Sequence, residues 1–348
     1  MKLLRLTLVS AALVPGLGLL AETDASGEPS LFAAMIMTKQ QQASSVPTDS
    51  GVLLRPPESE AWLRLGPAIQ MISSATADPS DPSTVFLAAG NGVVRSSDGG
   101  HSWRLVTGWR ESDVLQLAID PTDGDHVYGA SAWGVIVSRD GGDSWEYANE
   151  GLTEFYAKGI VLDARNPRRL LLASTTGLFE SPADAIRWKR VASFPPVAVL
   201  RLRQGDSAPQ IWIAGTEGQG VWLSRNNGRT WRATAPALAE ANIYGVAIDP
   251  TDGSRLAAGG WGTGVHLSTD GGRSWARAEG TLPSSNLTAM TFDPRHPGRL
   301  WASTFEEGTF FSDDGGRNWT SAALDGAYVF DLGFLSPKAT TGAEAERR

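Results

Sequence analysis

Short apolar runs recur along this chain, each ended by a cluster of turn-forming residues, and residues 114–148 hold one full cycle. Val114-Leu-Gln-Leu-Ala-Ile119 is short and mostly apolar, as a strand covered on both faces would be. Asp120-Pro-Thr-Asp-Gly124 follows, built throughout of residues that favour turns. Val127-Tyr-Gly-Ala-Ser131 predicts a second strand, Gly134 a turn, and Val135-Ile-Val137 a third strand. A turn rich in Asp and Gly then leads to Trp145-Glu-Tyr147, the fourth and outermost strand. No helical period runs long enough to predict a helical domain.

The cycle repeats with a fixed length. Trp62, Trp103, Trp145, Trp188, Trp231, Trp275 and Trp319 are separated by 41, 42, 43, 43, 44 and 44 residues. Five of them close one eight-residue phrase. It reads Ser96-Ser-Asp-Gly-Gly-His-Ser-Trp103 and Ser138-Arg-Asp-Gly-Gly-Asp-Ser-Trp145, then Ser224-Arg-Asn-Asn-Gly-Arg-Thr-Trp231. It returns as Ser268-Thr-Asp-Gly-Gly-Arg-Ser-Trp275 and Ser312-Asp-Asp-Gly-Gly-Arg-Asn-Trp319. An Asp-Pro step marks a second point in each unit, at Asp78-Pro79, Asp120-Pro121, Asp249-Pro250 and Asp293-Pro294. Asp163-Ala164 and Asp206-Ser207 are degenerate copies, and Ser336-Pro337 falls on the same spacing.

Both markers count seven units but are out of phase at the chain ends. A four-stranded sheet recurring at this period is the blade of a β-propeller. The expected fold is therefore all-β: a seven-bladed β-propeller of four-stranded antiparallel blades. Its ring must close, because otherwise the first and last blades each expose an apolar face. Tyr328-Val-Phe-Asp-Leu-Gly-Phe-Leu335 is expected to supply the inner strand of the first blade. Ser30–Ile36, Gly51–Leu54 and Ala61–Arg64 would supply its other three strands, with an insertion around Lys39-Gln-Gln-Gln-Ala-Ser-Ser45.

Composition narrows the setting. The unbroken repeat argues for one domain over residues 26–337 of the 348. Residues 1–25 read as an export signal, with Lys2 and Arg5 before the apolar stretch Leu6–Leu20. Residues 338–348 read as a polar, disordered tail. The chain has no cysteine, which excludes a disulfide framework, a thiolate metal site and a lipid-attachment cysteine. A periplasmic or secreted location is expected. The formal net charge is −8, and loss of Lys2 and Arg5 would remove two positive charges. That balance argues against a nucleic-acid partner, whose phosphates call for Lys and Arg.

The phrase Ser-x-Asp-x-Gly-x-x-Trp resembles the Asp-box, the bacterial neuraminidase repeat, and the resemblance covers residues 30–337. We assign Asp98, Asp140, Asn226, Asp270 and Asp314 to structural turns, in which the side chain accepts backbone N–H groups. Trp103, Trp145, Trp231, Trp275 and Trp319 are assigned to packing between blades. Ser181-Pro-Ala-Asp-Ala-Ile-Arg-Trp188 and Arg55-Pro-Pro-Glu-Ser-Glu-Ala-Trp62 lose the turn residues and keep Trp, so packing outlasts the turn. One carboxylate per blade makes neither a metal cluster nor a catalytic pair. His101, His126, His266 and His296 sit at unrelated blade positions. No metal and no cofactor is expected.

A partner is expected on the face that carries the outer-to-inner connections and the second-to-third strand turns. The candidate residues are Trp109, Arg110, Asp113, Trp133, Tyr156, Glu217, Tyr244, Trp261, Glu306, Glu307 and Tyr328. Exposed aromatics with a few charges suit protein or glycan recognition. The chain is similar to sialidases in its repeats. That resemblance implies three arginines on a substrate carboxylate, and only Arg201 and Arg203 lie on an inner strand. It is similar also to xyloglucanase-like glycosidases, which imply two acids facing each other between two propellers. In length and layout it most resembles the photosystem II stability and assembly factor family, which implies an exported single propeller that binds other proteins. The expectation is thus a monomeric, non-enzymatic propeller with a protein partner in the cell envelope. A glycan-binding or glycoside-hydrolase propeller, sialidase-like or xyloglucanase-like, is the alternative.

Overall fold

A computed structural model describes residues 27–43, 48–57, 59–69, 71–183 and 187–336. The expected export signal, the tail from 338, Ser44, Ser45 and Pro337 lie outside the described residues.

Seven four-stranded sheets stand in a ring, each antiparallel, and six of them follow the strand order of the chain. The inner strands are Ile72–Ala77, Val114–Asp120, Ala157–Asp163, Val199–Gln204, Gly245–Ile248, Leu287–Phe292 and Tyr328–Leu335. Each touches the next, and the last returns to the first. Tyr328–Leu335 pairs with Ser30–Ile36, from Ser30 opposite Leu335 to Ile36 opposite Tyr328. Gly51–Arg55 and Leu63–Leu65 complete this first blade, so one sheet contains both ends of the ring. The insertion carries one short helix, Thr38–Ala43. The outer strands are only two or three residues long and begin one residue after the tryptophan, as at Glu146–Tyr147. A short outer strand leaves little exposed edge for unwanted pairing.

The core is not one mass but seven apolar clusters, one at each junction between blades. Each cluster contains one of the seven recurring tryptophans, which packs its own blade against the preceding one. Trp145 joins Phe86 and Ala88 of the second blade to Val114 and Ile119 of the third. Trp62 joins the first blade to Ala289 and Trp301 of the seventh and so seals the ring.

The turn chemistry follows the same division. In Ser138–Trp145 the Asp140 carboxylate accepts from Ser138 Oγ at 2.8 Å, Ser144 N at 2.8 Å and Ser144 Oγ at 2.5 Å. Gly142 has φ 90°, and a Cβ there would lie 2.8 Å from Phe86 of the preceding blade, so only glycine fits. Trp103, Trp145 and Trp231 donate their indole N–H to the glycine carbonyl of their own turn. Trp62 and Trp188, whose turns are degenerate, reach across instead to Ala322 O at 2.7 Å and Ala148 O at 2.8 Å of the preceding blade. The indole keeps its partner although the turn is gone.

One assignment shifts by a residue. Asp78, Asp249 and Asp293 each donate their N–H to the carbonyl of the residue just before the second strand, and in the fifth blade Gly205 does so, not Asp206. A Cβ at Gly205 would lie 2.8 Å from Ala208 O, so this turn closes too tightly for a side chain.

The turn carboxylates give a pH prediction. Hydrogen bonds hold Asp98 and Asp140 near a pKa of about 2, first those from Ser102 and Ser144, and Asp314 near about 2, first that from the Asn318 N–H. Each folded value lies below the unfolded value of 3.8, so their contribution is present above that value and is lost as pH falls through the folded one. The part of the thermal midpoint that these turns supply should be flat above about pH 5 and fall between about pH 4 and 2. Asp98→Asn, Asp140→Asn and Asp314→Asn together should make that acid limb shallower, since Asn226 already fills the same role in the fifth blade. An unchanged limb would dismiss the turn carboxylates as its cause.

Candidate functional site

The candidate face is built by a repeated backbone contact. In six blades the turn after the second strand donates an N–H to the segment leading into the inner strand, in five of them to the residue just before it. Gly90 bonds Met71 O at 2.7 Å, Ala132 bonds Asp113 O at 3.0 Å and Thr175 bonds Tyr156 O at 3.3 Å. Glu217, Trp261 and Phe305 bond Ala198 O, Asn242 O and Asn286 O in the same way. The side chains of this rim therefore stand on satisfied, fixed backbone.

Eight large apolar side chains are exposed among the described residues, and six of them stand on this face: Met71, Trp109, Trp133, Phe155, Tyr156 and Trp261. Trp109 is 85% exposed. A concentration of this kind on one side is a mark of an interaction surface. Arg110 lies over the Trp109 ring at 5.2 Å, and its carbonyl accepts the Tyr147 hydroxyl at 2.6 Å. Trp133 is held by Asp113, whose Oδ2 accepts the indole N–H at 3.2 Å from a backbone with φ 52°. On the far side, rings run inward from the rim: Trp261 to Phe305 at 5.3 Å, Phe305 to Tyr328 at 5.7 Å, and Tyr328 to Phe330 at 4.8 Å. Burial pushes the Tyr328 hydroxyl above its ordinary pKa, against the pull of Arg201. Glu217 is exposed, while Tyr244 is half-buried with its carbonyl accepting Arg201 Nε at 3.3 Å.

Glu306 and Glu307 do not open onto the channel. Glu306 Oε1 accepts Thr38 Oγ1 at 2.6 Å, and Lys39 Nζ bonds Glu306 O at 2.8 Å and Glu307 Oε1 at 3.1 Å. The helix of the first-blade insertion thus occupies them.

Sequence reasoning missed the centre of the ring. Six inner strands carry a register shift near their start, and in the first and fifth blades the next residue is Asp331 and Arg201. A bulge re-aims the side chain that follows it. Asp331 is buried and meets Arg201 Nη1 at 3.0 Å and Arg203 Nη2 at 2.6 Å, with Ser74 Oγ on its other oxygen at 2.9 Å. Arg201 also bonds the Phe330 carbonyl. The first, second and fifth blades are thereby tied across the axis. Below this clamp the channel encloses about 570 Å³ between residues such as Thr76, Ala118, Val161, Ala247 and Thr291. Charged residues at alternate positions of an otherwise apolar strand, Arg201 and Arg203, were the available signal.

Asp113, Glu306, Glu307 and Asp331 do not gather into one site. Asp331 belongs to the clamp, Glu306 and Glu307 to the helix, and Asp113 to Ser112 and Trp133. Among the described residues no group of three or more His, Cys, Asp or Glu is placed to hold a metal.

No known family and no curated protein matches this chain in sequence. Solved structures do match its shape. An ancestral GH74 enzyme superimposes with a TM-score of 0.60 at 19% identity, over 72% of this chain and 38% of the enzyme's own length. YCF48, solved bound to a D1 peptide, superimposes with a TM-score of 0.58 at 15% identity, over 76% of this chain and 91% of YCF48. This chain thus spans well under half of the enzyme and most of YCF48. At such identities the likeness is one of fold: this chain shares the seven-bladed propeller with proteins of both kinds.

Proposed function

We propose that this chain is an exported, non-enzymatic propeller that binds a protein partner, as an assembly or accessory factor of a cell-envelope complex. The observation that carries this reading is the gathering of Met71, Trp109, Trp133, Phe155, Tyr156 and Trp261, all exposed, on a single face. Aromatic side chains of this kind dominate protein interfaces because they bury much area at little entropic cost. Asp331, which lines the channel, is saturated by two arginines and a serine and so is engaged in structure, where glycoside hydrolysis would call for a free carboxylate. YCF48, of nearly the same extent, was solved with a peptide bound, which supports a propeller of this size as a peptide-binding scaffold.

The test is affinity purification of the tagged protein from its native envelope, with crosslinking. One protein should be recovered near one-to-one, and Trp109→Ala with Trp133→Ala should weaken its capture about tenfold or more, as loss of aromatic anchors does. A glycan ligand, or hydrolysis of one, with no protein captured would replace this reading.

A further inference from the structure

Four carboxylates stand among the exposed rings: Glu111, Asp113, Glu154 and Glu217. None has an ion-pair partner among the described residues; Glu111 accepts only the Gly108 N–H, and Asp113 only Ser112 and Trp133. Several exposed carboxylates elsewhere are engaged either by their own turns, as Asp98, Asp140, Asp270 and Asp314 are, or by arginines. Asp143 takes Arg95 and Arg104, Glu180 takes Arg169, and Asp313 takes Arg299. Beside these four acids stand two cations, Arg110 and Lys158. Both lean over rings, Trp109 at 5.2 Å and Tyr156 at 5.6 Å, and neither is at ion-pair distance from a carboxylate among the described residues, although the charge of Glu217 opposes the lowering of the Lys158 pKa by burial. The rings here therefore already receive cations, while the acids exceed the cations four to two. The Tyr147 hydroxyl, beneath Trp109, is pushed up by burial and then by Glu111 and Asp113, as a locally negative field requires.

A surface of exposed aromatic rings and unpaired carboxylates is complementary to cations on apolar stems. Ring faces attract them and carboxylates pair with them. We propose that the segment docked on this face is basic and apolar: Lys or Arg side chains of the partner stack on Trp133 and Phe155 and pair with Asp113 and Glu154, while its aliphatic side chains cover Met71. The proposal rests on the protein-binding reading and adds the chemistry of the partner. An acidic segment or an acidic glycan would be repelled, and a neutral glycan would be indifferent to the carboxylates.

The test is titration of the full chain with three short synthetic peptides that alternate Leu with Arg, with Gln or with Glu. The Arg peptide should bind about tenfold or more tighter than the Gln peptide, with an advantage that shrinks as salt is raised. Glu111→Gln, Asp113→Asn and Glu154→Gln together should bring the Arg peptide down to the Gln level. Asn adopts the φ of 52° at position 113 and keeps an acceptor for Trp133, so the fold holds and the thermal midpoint stays put. Equal binding of the Gln or Glu peptide, unchanged binding by the triple variant, or no binding of any peptide would overturn the proposal. A partner from the envelope that depends on Trp133 but not on the three carboxylates would leave the protein-binding reading standing and remove this one.

Discussion

Replacing Trp188 by alanine should cost about 3–5 kcal/mol of folding stability, the range for emptying a large aromatic site in a core. Trp188 is 3% exposed and sits in the cluster that joins Tyr128 and Val135 of the third blade to Ile160 and Leu170 of the fourth. Its indole N–H also satisfies Ala148 O at 2.8 Å, and that carbonyl would lose a partner, at about 1 kcal/mol or more. Both sheets are held in register by their own ladders, which opposes closing the gap by a shift of backbone. The effect should appear in denaturant unfolding as a lower midpoint with little change in slope. Trp109→Ala, at a site 85% exposed, is the control and should leave the midpoint within about 0.5 kcal/mol. Equal losses in the two variants would show that the recurring tryptophan is not what holds adjacent blades together.

Replacing Asp331 by alanine should cost about 3 kcal/mol, by a different route. The substitution leaves Arg201 and Arg203 side by side in the channel with no shared carboxylate, and Ser74 without its acceptor. Removing one member of a buried charge cluster is expensive chiefly because the charges left behind stay desolvated. Arg201 and Arg203 retain 19% and 26% of their side-chain exposure, so water relieves part of that penalty and the figure sits at the low end of the range. Arg201→Met with Arg203→Leu in the Asp331→Ala background should recover most of the loss, since an apolar replacement removes the stranded charges. If the single and triple variants are equally unstable, the clamp is not the source. Because Asp331 lies on the strand that closes the ring, the loss should register as global unfolding and not as fraying of one blade.

The two sites differ in how far they could be read beforehand. The tryptophan repeats at a fixed period, and a period in sequence becomes a period in space whenever each unit packs the same way on the next. Trp62 and Trp188, which kept the indole after losing the turn, already pointed to packing as the stronger constraint. The clamp offers no such local mark. Arg201 and Arg203 lie 130 and 128 residues from Asp331, and the three meet only because the fifth and first blades face each other across the axis. Arginines on a single blade, set against the three-arginine pattern of sialidases, looked inert as chemistry and proved to be structural. The surroundings of Glu306 and Glu307 were hidden for a related reason. Their cation, Lys39, belongs to an insertion more than 260 residues earlier in the chain, and no spacing rule connects them.

On the candidate face, sequence identified the rings and the acids one by one, from the turns they occupy. It could not count ion pairs. That Glu111, Asp113 and Glu154 have no ion pair among the described residues, while Asp143 has two, is a matter of distances between loops of neighbouring blades.

The residue pattern by itself determined the strand count, the blade count and the closing strand. These follow from short-range causes: apolar runs too short for helices, turns that Asp, Gly and Pro make favourable, and a repeat that must bury its end faces. The tertiary structure alone decided which charges are neutralised, which rings stay bare and what stands on the axis. Those outcomes depend on the angle and offset between blades, which the ring as a whole sets once its first and last strands have paired.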